Sequence, residues 1–520
     1  SCQWQGRIAT EEKKIAFWFK YFVCLSGQWV YCLRLFYTAK NNRHMNAKRR
    51  SFLRNAIAGT ATIAGIPSLG LAKPMGEANM LNHPELYFGA GQNMCGFAAP
   101  KLDTVRIGIV GLGMRGPGAV ERMSFIEGVS IVALCDKYPD RVEKSQQILV
   151  KAGLVKAREY SGENGWKQLC ESKDIDLVYI CTPWALHTPM ALHAMNNGKH
   201  AAVEVPAAKT IDECWSLVET SEKTKKHCMM LENCCYDFFE LLTLNMARQG
   251  LFGELLHAEG AYIHDLMKDY NFKKPGEGGY SDMWRLKENW RNGNLYPTHG
   301  LGPIAQCLNI NRGDQMDHLT AMSTGDFSMG PLANELAAKD DFYKPFAGKT
   351  YRGNMNTTLI RTVKGKTMML QHDVSSPRPY SRIHLLSGTK GMAQKWPSPQ
   401  RIAFGHSWIK EDEFKTYEAK YTPEIVKKIG EMAKKVGGHG GMDFMMDWRL
   451  IDCLRNGLPL DQDVYDAALW SVVVPLSEQS VANKSRTVDV PDFSRGAWKT
   501  NKPVELTLTG GGTTGVRAKS

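Results

Sequence analysis

From residue 104 onward, short apolar runs alternate with amphipathic stretches. "VRIGIV" (105–110), "SIVALCD" (130–136), "DLVYICT" (176–182), "HAAVEV" (200–205) and "CMMLEN" (228–233) have the length and apolar continuity of strands buried on both faces. Between them, polar-apolar periodicity predicts helices over 114–126, 139–152, 188–197 and 210–224. Strands alternating with helices predict an α/β doubly wound parallel sheet over 104–235. Beyond it the rhythm changes to longer alternating segments at 254–263, 318–324, 356–363, 366–373 and 382–388, which predict a large open, mostly antiparallel sheet. Helices expected at 422–435, 440–456 and 462–482 lie late enough to pack back onto the bulk, making 236–508 an α+β domain. The glycine-rich end, 509–520, reads as a flexible tail.

With 520 residues the chain suits two or three domains, since single cores stop growing near ~250–300 residues. Hydrophobic residues at 43% and charged residues at 23% are those of an ordinary globular protein. The formal charge of +12 is spread along the chain, and no basic-aromatic motif accompanies it, so nucleic acid is not an expected partner. The 13 cysteines show no paired CxxC spacing and there is no HExxH, so no metal site is expected. Buried thiols imply folding in a reducing compartment.

The N-terminus carries addresses. "KRRSFLRNAIAGTATIAGIPSLGLA" (48–72) resembles a twin-arginine export signal, with Arg49 and Arg50 ahead of a mildly apolar stretch and a small-residue end at Ala72. That predicts a signal over 45–72, passage through the twin-arginine export machinery, a periplasmic or secreted destination, and a linker over 73–103. Residues 1–44 contain an apolar run, 15–36, interrupted by Lys20 and Arg34. They read as an upstream extension.

Chemistry first appears in "RIGIVGLGMRGPG". Gly111, Gly113 and Gly116 stand in GxGxxG register directly after a strand and opening a helix, the context that makes this motif a dinucleotide site. The first glycine permits the turn, the second admits a pyrophosphate and the third allows close helix packing. Asp136 follows Gly116 by about 20 residues at the end of the second strand, where a carboxylate accepts from a ribose hydroxyl and disfavours a 2′-phosphate; NAD is the expected cofactor. Two further strand ends, "CTPWALH" (181–187) and "EVP" (204–206), lie on the rim where such sheets bind ligands. His187 reads equally as a surface histidine at a helix start, and Glu204 as a residue that positions a ring without moving a proton.

These motifs, with the large sheet that follows, resemble the Gfo/Idh/MocA oxidoreductase family over roughly residues 104–480. "EVP" in place of the usual Glu-Lys-Pro, together with "LENCCYD" (231–237), "YPTHG" (296–300) and "SSPRPYSR" (375–382), is similar to the NAD-dependent glycoside hydrolase family 109, typified by α-N-acetylgalactosaminidases. The resemblance implies cofactor contacts at Met114 and Arg115, at Trp184, Ala185, Leu186 and His187, at Glu204 and Val205, and at Asn233. It implies sugar contacts at Tyr262 and Arg285, along Tyr296, Pro297, Thr298 and His299, and at Tyr380. Duller readings of three of these are a packing tyrosine at 380, a helix cap at His299 before a helix starting near Gly302, and a surface pair of Arg285 with Asp282. His439 in "GGHGGMDF" (437–444) reads as a helix-start residue beside the cleft.

The lysine that Val205 replaces is the usual proton carrier, and the resemblance implies why it can be absent. In a closed cycle the sugar is oxidised at C3, its C2 proton becomes acidic and is removed, the C1 substituent is expelled, water adds and the hydride returns. The net reaction is hydrolysis, an exception to the two-carboxylate scheme of glycosidases. Tyr380 is then the expected base at C2, with Tyr296 and His299 near the hydroxyls at the hydride centre. A glycan or other small-molecule substrate follows, and a homo-oligomer through the open sheet is compatible. The alternatives are an NAD-dependent sugar or inositol oxidoreductase and a non-catalytic NAD-bearing sugar sensor.

Overall fold

In the computed structural model, which describes residues 92–517, the first sheet is six parallel strands: β1 (Val105–Val110), β2 (Val129–Asp136), β3 (Arg158–Ser161), β4 (Leu177–Ile180), β5 (His200–Val203) and β6 (Cys228–Met230). Their order is β3-β2-β1-β4-β5-β6, so the chain reverses direction across the sheet between β1 and β4. Ligands of such sheets sit outside the strand C-termini at that reversal. Asp136 ends β2, and Gly111, the 181–187 turn, Glu204 and Asn233 follow the C-termini of β1, β4, β5 and β6. The continuous apolar runs are explained by burial on both faces: Leu177, Val178, Tyr179 and Ile180 are all inaccessible.

The second sheet has eight strands, β7 (Leu255–Ile263), β8 (Met316–Ser323), β9 (Asn356–Thr362), β10 (Thr367–Asp373), β11 (Leu385–Gly388), β12 (Met392–Gln394), β13 (Arg401–Ala403) and β14 (Val488–Asp489). The order is β13-β12-β11-β7-β10-β9-β8-β14, and only the β7–β10 pair is parallel. The helix Thr298–Cys307 lies against β7 through two glycines. A Cβ on Gly300 would stand 2.3 Å from the Ala261 nitrogen, and one on Gly260 2.3 Å from the Gly300 oxygen. That close approach delivers the start of the helix to the end of β7.

The late helices pack back as expected. Helix Met442–Asn456 lies against helix Gly116–Ser124 and the turn Asn233–Tyr236, while Val464–Ala482, apolar on all sides, is sandwiched between helix Ile211–Thr224 and β8. Segments 264–294 and 325–350 pack on each other around Met267, Phe272, Met283, Met329, Tyr343 and Phe346. The expected flexible tail is instead docked up to residue 517. Asp452 accepts from the Gly512 and Thr514 amides (2.7 and 3.2 Å), Trp448 donates to the Thr514 carbonyl, and Val516 bridges Ile126. Glycine serves close approach here: a Cβ on Gly511 would lie 2.7 Å from the Asp452 carboxylate.

Among the described residues the ten cysteines are free thiols, eight of them buried. No described helix is long and apolar enough to cross a membrane. The export signal over 45–72, the extension over 1–44 and most of the linker lie outside the described residues.

Candidate active site

The glycine turn has the shape a dinucleotide needs. Gly111 has φ +90°, and a Cβ there would lie 2.7 Å from the Cys181 backbone; one on Gly116 would lie 2.1 Å from the Gly111 oxygen. At Gly113 the same position meets only an Arg141 guanidinium nitrogen at 3.5 Å, which leaves room for a ligand against the backbone. Asp136 accepts from the Leu112 amide at 2.7 Å and the Tyr138 amide at 2.9 Å, so the turn and the carboxylate are held as one piece. These residues fit NAD. Met114, Ala185 and Leu186 are exposed along the same rim.

His187 is buried, with Nδ1 2.7 Å from the Pro206 carbonyl and Nε2 2.7 Å from the Thr182 carbonyl. Its ring therefore ties two strand ends together, and the surface reading does not hold. Burial lowers its pKa, which the two carbonyl contacts oppose. Val205 is 3% exposed and belongs to the hydrophobic core, so the proton carrier expected at that position of the wider family has no substitute there.

Glu204 receives Nε of Arg115 at 2.9 Å, and Nη1 of the same guanidinium lies 3.3 Å from Asp443. Asp443 also takes bonds from His439 (2.9 Å) and from the amide of Asn233. Burial alone would raise the Asp443 carboxyl, but His439, Arg115 and Arg122 outweigh it and hold it well below the usual carboxylate range. Asp443 was not singled out from the sequence, because all but one of its partners lie more than 200 residues away.

Beyond the Glu204–Arg115–Asp443 ion pairs lies an aromatic basin. Tyr262, at the end of β7, has its ring 4.8 Å from Tyr296, 5.4 Å from His299 and 6.3 Å from Tyr380. Tyr380 arrives because residues 381–382 run beside β7, with Ser381 bridging Ile263. Trp184 stacks on Tyr296 at 5.6 Å, and the Arg285 guanidinium lies over both, 4.5 and 4.9 Å from their centres. Arg285 is thus held by rings and makes no ion pair with Asp282. The Tyr380 phenol is pushed up by burial, while Nη1 of Arg382, 3.3 Å from its oxygen, pulls it down. Burial likewise raises Tyr262 and Tyr296, against the pull of Arg285.

His299 occupies the first turn of a helix that begins at Thr298, four residues earlier than expected from the sequence. Its Nδ1 faces both oxygens of fully buried Glu232, at 2.7 and 2.9 Å. Burial alone would raise that carboxyl; the imidazole beside it lowers it, and the net direction is down. An ionised carboxylate only accepts, so Nδ1 carries the proton and Nε2 is left as acceptor. Among the described residues Nε2 has no hydrogen-bond partner. Cys234, Glu232 and His299 bring three ligand-type atoms within 4.8 Å, but the carboxylate is engaged and burial pushes the thiol well up, so the trio anchors the imidazole.

Sequence reading missed Glu232 and His264. Glu232 adjoins Asn233 in a motif already noted, but nothing local links it to His299. His264 had a signal: it follows Tyr262 by two, one residue past the end of β7, and its Nδ1 lies 3.1 Å from the Tyr262 hydroxyl.

A Rossmann sheet with a ribose carboxylate, joined to a sheet that carries a tyrosine- and histidine-lined basin, defines an NAD-binding enzyme of carbohydrate type. Residues 105–232 match the family described as "Oxidoreductase family, NAD-binding Rossmann fold", and residues 236–500 match "Glycosyl hydrolase 109, C-terminal domain". The chain belongs to glycosyl hydrolase family 109. It is 51% identical over 429 residues to glycosyl hydrolase family 109 protein 1 of Bacteroides thetaiotaomicron, covering 78% of this chain and 88% of that one. It is 51% identical over 417 residues to an alpha-N-acetylgalactosaminidase of Bacteroides fragilis, covering 78% of this chain and 96% of that one. Among solved structures, levoglucosan dehydrogenase in complex with NADH has TM-score 0.56 at 18% identity, covering 75% of this chain and 100% of its own. Aldose-aldose oxidoreductase from Caulobacter crescentus has TM-score 0.53 at 18%, covering 74% and 100%. These two likenesses concern the fold.

Proposed function

We propose that this enzyme hydrolyses terminal α-N-acetylgalactosamine, or a related 2-acetamido sugar, by a cycle that begins and ends with oxidised NAD. The reading is supported by the 51% identity to an enzyme of that name and by one geometric observation: an imidazole whose Nδ1 is committed to Glu232 stands beside Tyr296 and Tyr262, and Tyr262 in turn faces Tyr380. Bound NAD supplies reversible oxidation at a sugar carbon. The chain's own residues handle protons. Nε2 of His299 accepts the C3 hydroxyl proton, and its companion Tyr296 orients that hydroxyl. Tyr380, once ionised against the net rise that its burial imposes, takes the proton from C2 as a phenolate that Arg382 stabilises. Arg285, packed over both Trp184 and Tyr296, is the cation that meets the ring substituents.

Net sugar oxidation is the competing reading; it shares the first step, whose proton His299 takes in place of a group at buried Val205, so the fate of the reduced cofactor separates the two. Purified protein given an aryl α-N-acetylgalactosaminide without added NAD should release the phenol with no accumulation of NADH; stoichiometric NADH would establish the oxidoreductase instead, and neither product the sensor.

Export through the twin-arginine route to the periplasm belongs to the same proposal. That route carries folded, cofactor-loaded proteins, and a closed cycle needs no fresh NAD afterwards. Fractionation of cells with Arg49 and Arg50 changed to lysine should trap the protein in the cytoplasm. Pairing through the open sheet is testable by light scattering.

A further inference from the structure

Residues Gly437, Gly438, His439, Gly440 and Gly441 have φ of 94°, 83°, 47°, 75° and 109°, five successive positive values of which one belongs to a histidine. Glycine adopts such φ freely, so only His439 depends on its surroundings to hold it there. Here the run turns the chain sharply from helix Glu424–Val436 into helix Met442–Asn456 and lies against the stem of Asp443: a Cβ on Gly438 would be 2.7 Å from the Asp443 Cβ. The carboxylate so placed is 1% exposed and collects donors from three directions. Arg115 (3.3 Å) belongs to the glycine turn after β1, Asn233 follows β6, and Arg122 (3.6 Å) comes from helix Gly116–Ser124. Arg115 extends the chain of bonds to Glu204 after β5. Arg122 is held chiefly by Asp447, at 2.7 Å, and reaches Asp443 only with its second nitrogen. The closer ties of Asp443 to Arg115 and Asn233 span the rim on which a dinucleotide lies.

We propose that Asp443, carried by the glycine run 437–441, is the positioning residue that locks NAD in place between turnovers. It does so by fastening the glycine turn and Asn233 to the C-terminal half of the chain. The inference rests on the closed-cycle reading, in which a resident cofactor outlasts many turnovers. A dehydrogenase would be slowed by such a fastening, because its cofactor must leave.

The test is exchange of bound NAD for excess isotopically labelled NAD, read by mass spectrometry after rapid desalting with no sugar present. Wild type should exchange slowly. Asp443→Asn keeps the shape but loses the charge, and should exchange about 10- to 100-fold faster, the span expected for losing a charge-assisted bond, while its circular dichroism and melting stay near wild type. Gly438→Ala, which displaces the carboxylate rather than removing it, should act in the same direction and serves if Asp443→Asn does not fold. A folded Asp443→Asn protein that holds NAD as long as wild type overturns the lock and leaves the glycosidase reading standing. Rapid exchange in wild type overturns both.

Discussion

Nδ1 of His299 lies 2.7 Å from Oε1 of Glu232, which is wholly buried and 67 residues earlier in the chain. This contact selects the imidazole tautomer and aims its free nitrogen into the basin. Glu232→Gln preserves size but can present an amide N–H to the ring, which favours the wrong tautomer. By analogy with the carboxylate of a Ser-His-Asp triad, kcat should fall about 10²- to 10⁴-fold, with KM and NAD content little changed. Steady-state kinetics plus cofactor quantitation decide it; a kcat within threefold of wild type would remove Glu232 from the proton path.

Tyr380→Phe should abolish aglycon release while NAD stays bound, because it deletes the oxygen beside Arg382 and nothing else. The same variant should stop loss of deuterium from substrate labelled at C2. Label washing out at the wild-type rate would assign the base elsewhere.

Gly300→Ala adds a methyl that meets backbone atoms of Gly260 and Ala261 at 2.3–3.0 Å, with no flexible side chain to yield. The helix must lift from β7, carrying His299 away from Tyr262. We expect about 1–3 kcal/mol of lost stability and a loss of activity larger than that of a stability-matched substitution remote from the site. Denaturation and kinetics on the same preparations give both numbers.

His384 is buried, and burial pushes its pKa from 6.5 down to about 4, with Lys395 and Arg382 adding to the shift and Glu240 opposing it. Its folded value is the lower one, so its contribution is intact above pH 6.5 and is lost as pH falls toward 4, because the unfolded chain binds the proton first. The integrated loss is roughly 2–3 kcal/mol. His384→Gln should therefore narrow the stability gap between pH 7 and pH 4 by that amount. Denaturant titrations giving parallel pH profiles for the two proteins would refute the assignment.

Much of the architecture was legible because it is written in local patterns. Continuous apolar strands, the glycine register and the late amphipathic helices lie within the reach of neighbouring residues, so their spacing alone reports them. The tail misled because glycine has two uses. At 509–517 it allows close approach to Asp452 rather than freedom, and only the packed neighbour distinguishes the two. Likewise Arg285 reads in the sequence as a sugar contact or as a surface pair with Asp282, and only the packed Trp184 and Tyr296 rings, 4.5 and 4.9 Å from its guanidinium, set the second aside.

By itself the sequence determined a dinucleotide-binding parallel sheet, a second sheet and a set of tyrosine and histidine positions, since each depends on periodicity or on residues a few places apart. Tertiary structure decided which carboxylate serves which partner. Glu232 with His299, and Asp443 with Arg115 and Asn233, are meetings across 67, 328 and 210 residues. Such meetings depend on how the sheets and helices dock, and a charge in a sequence carries no sign of the partner that burial will force upon it.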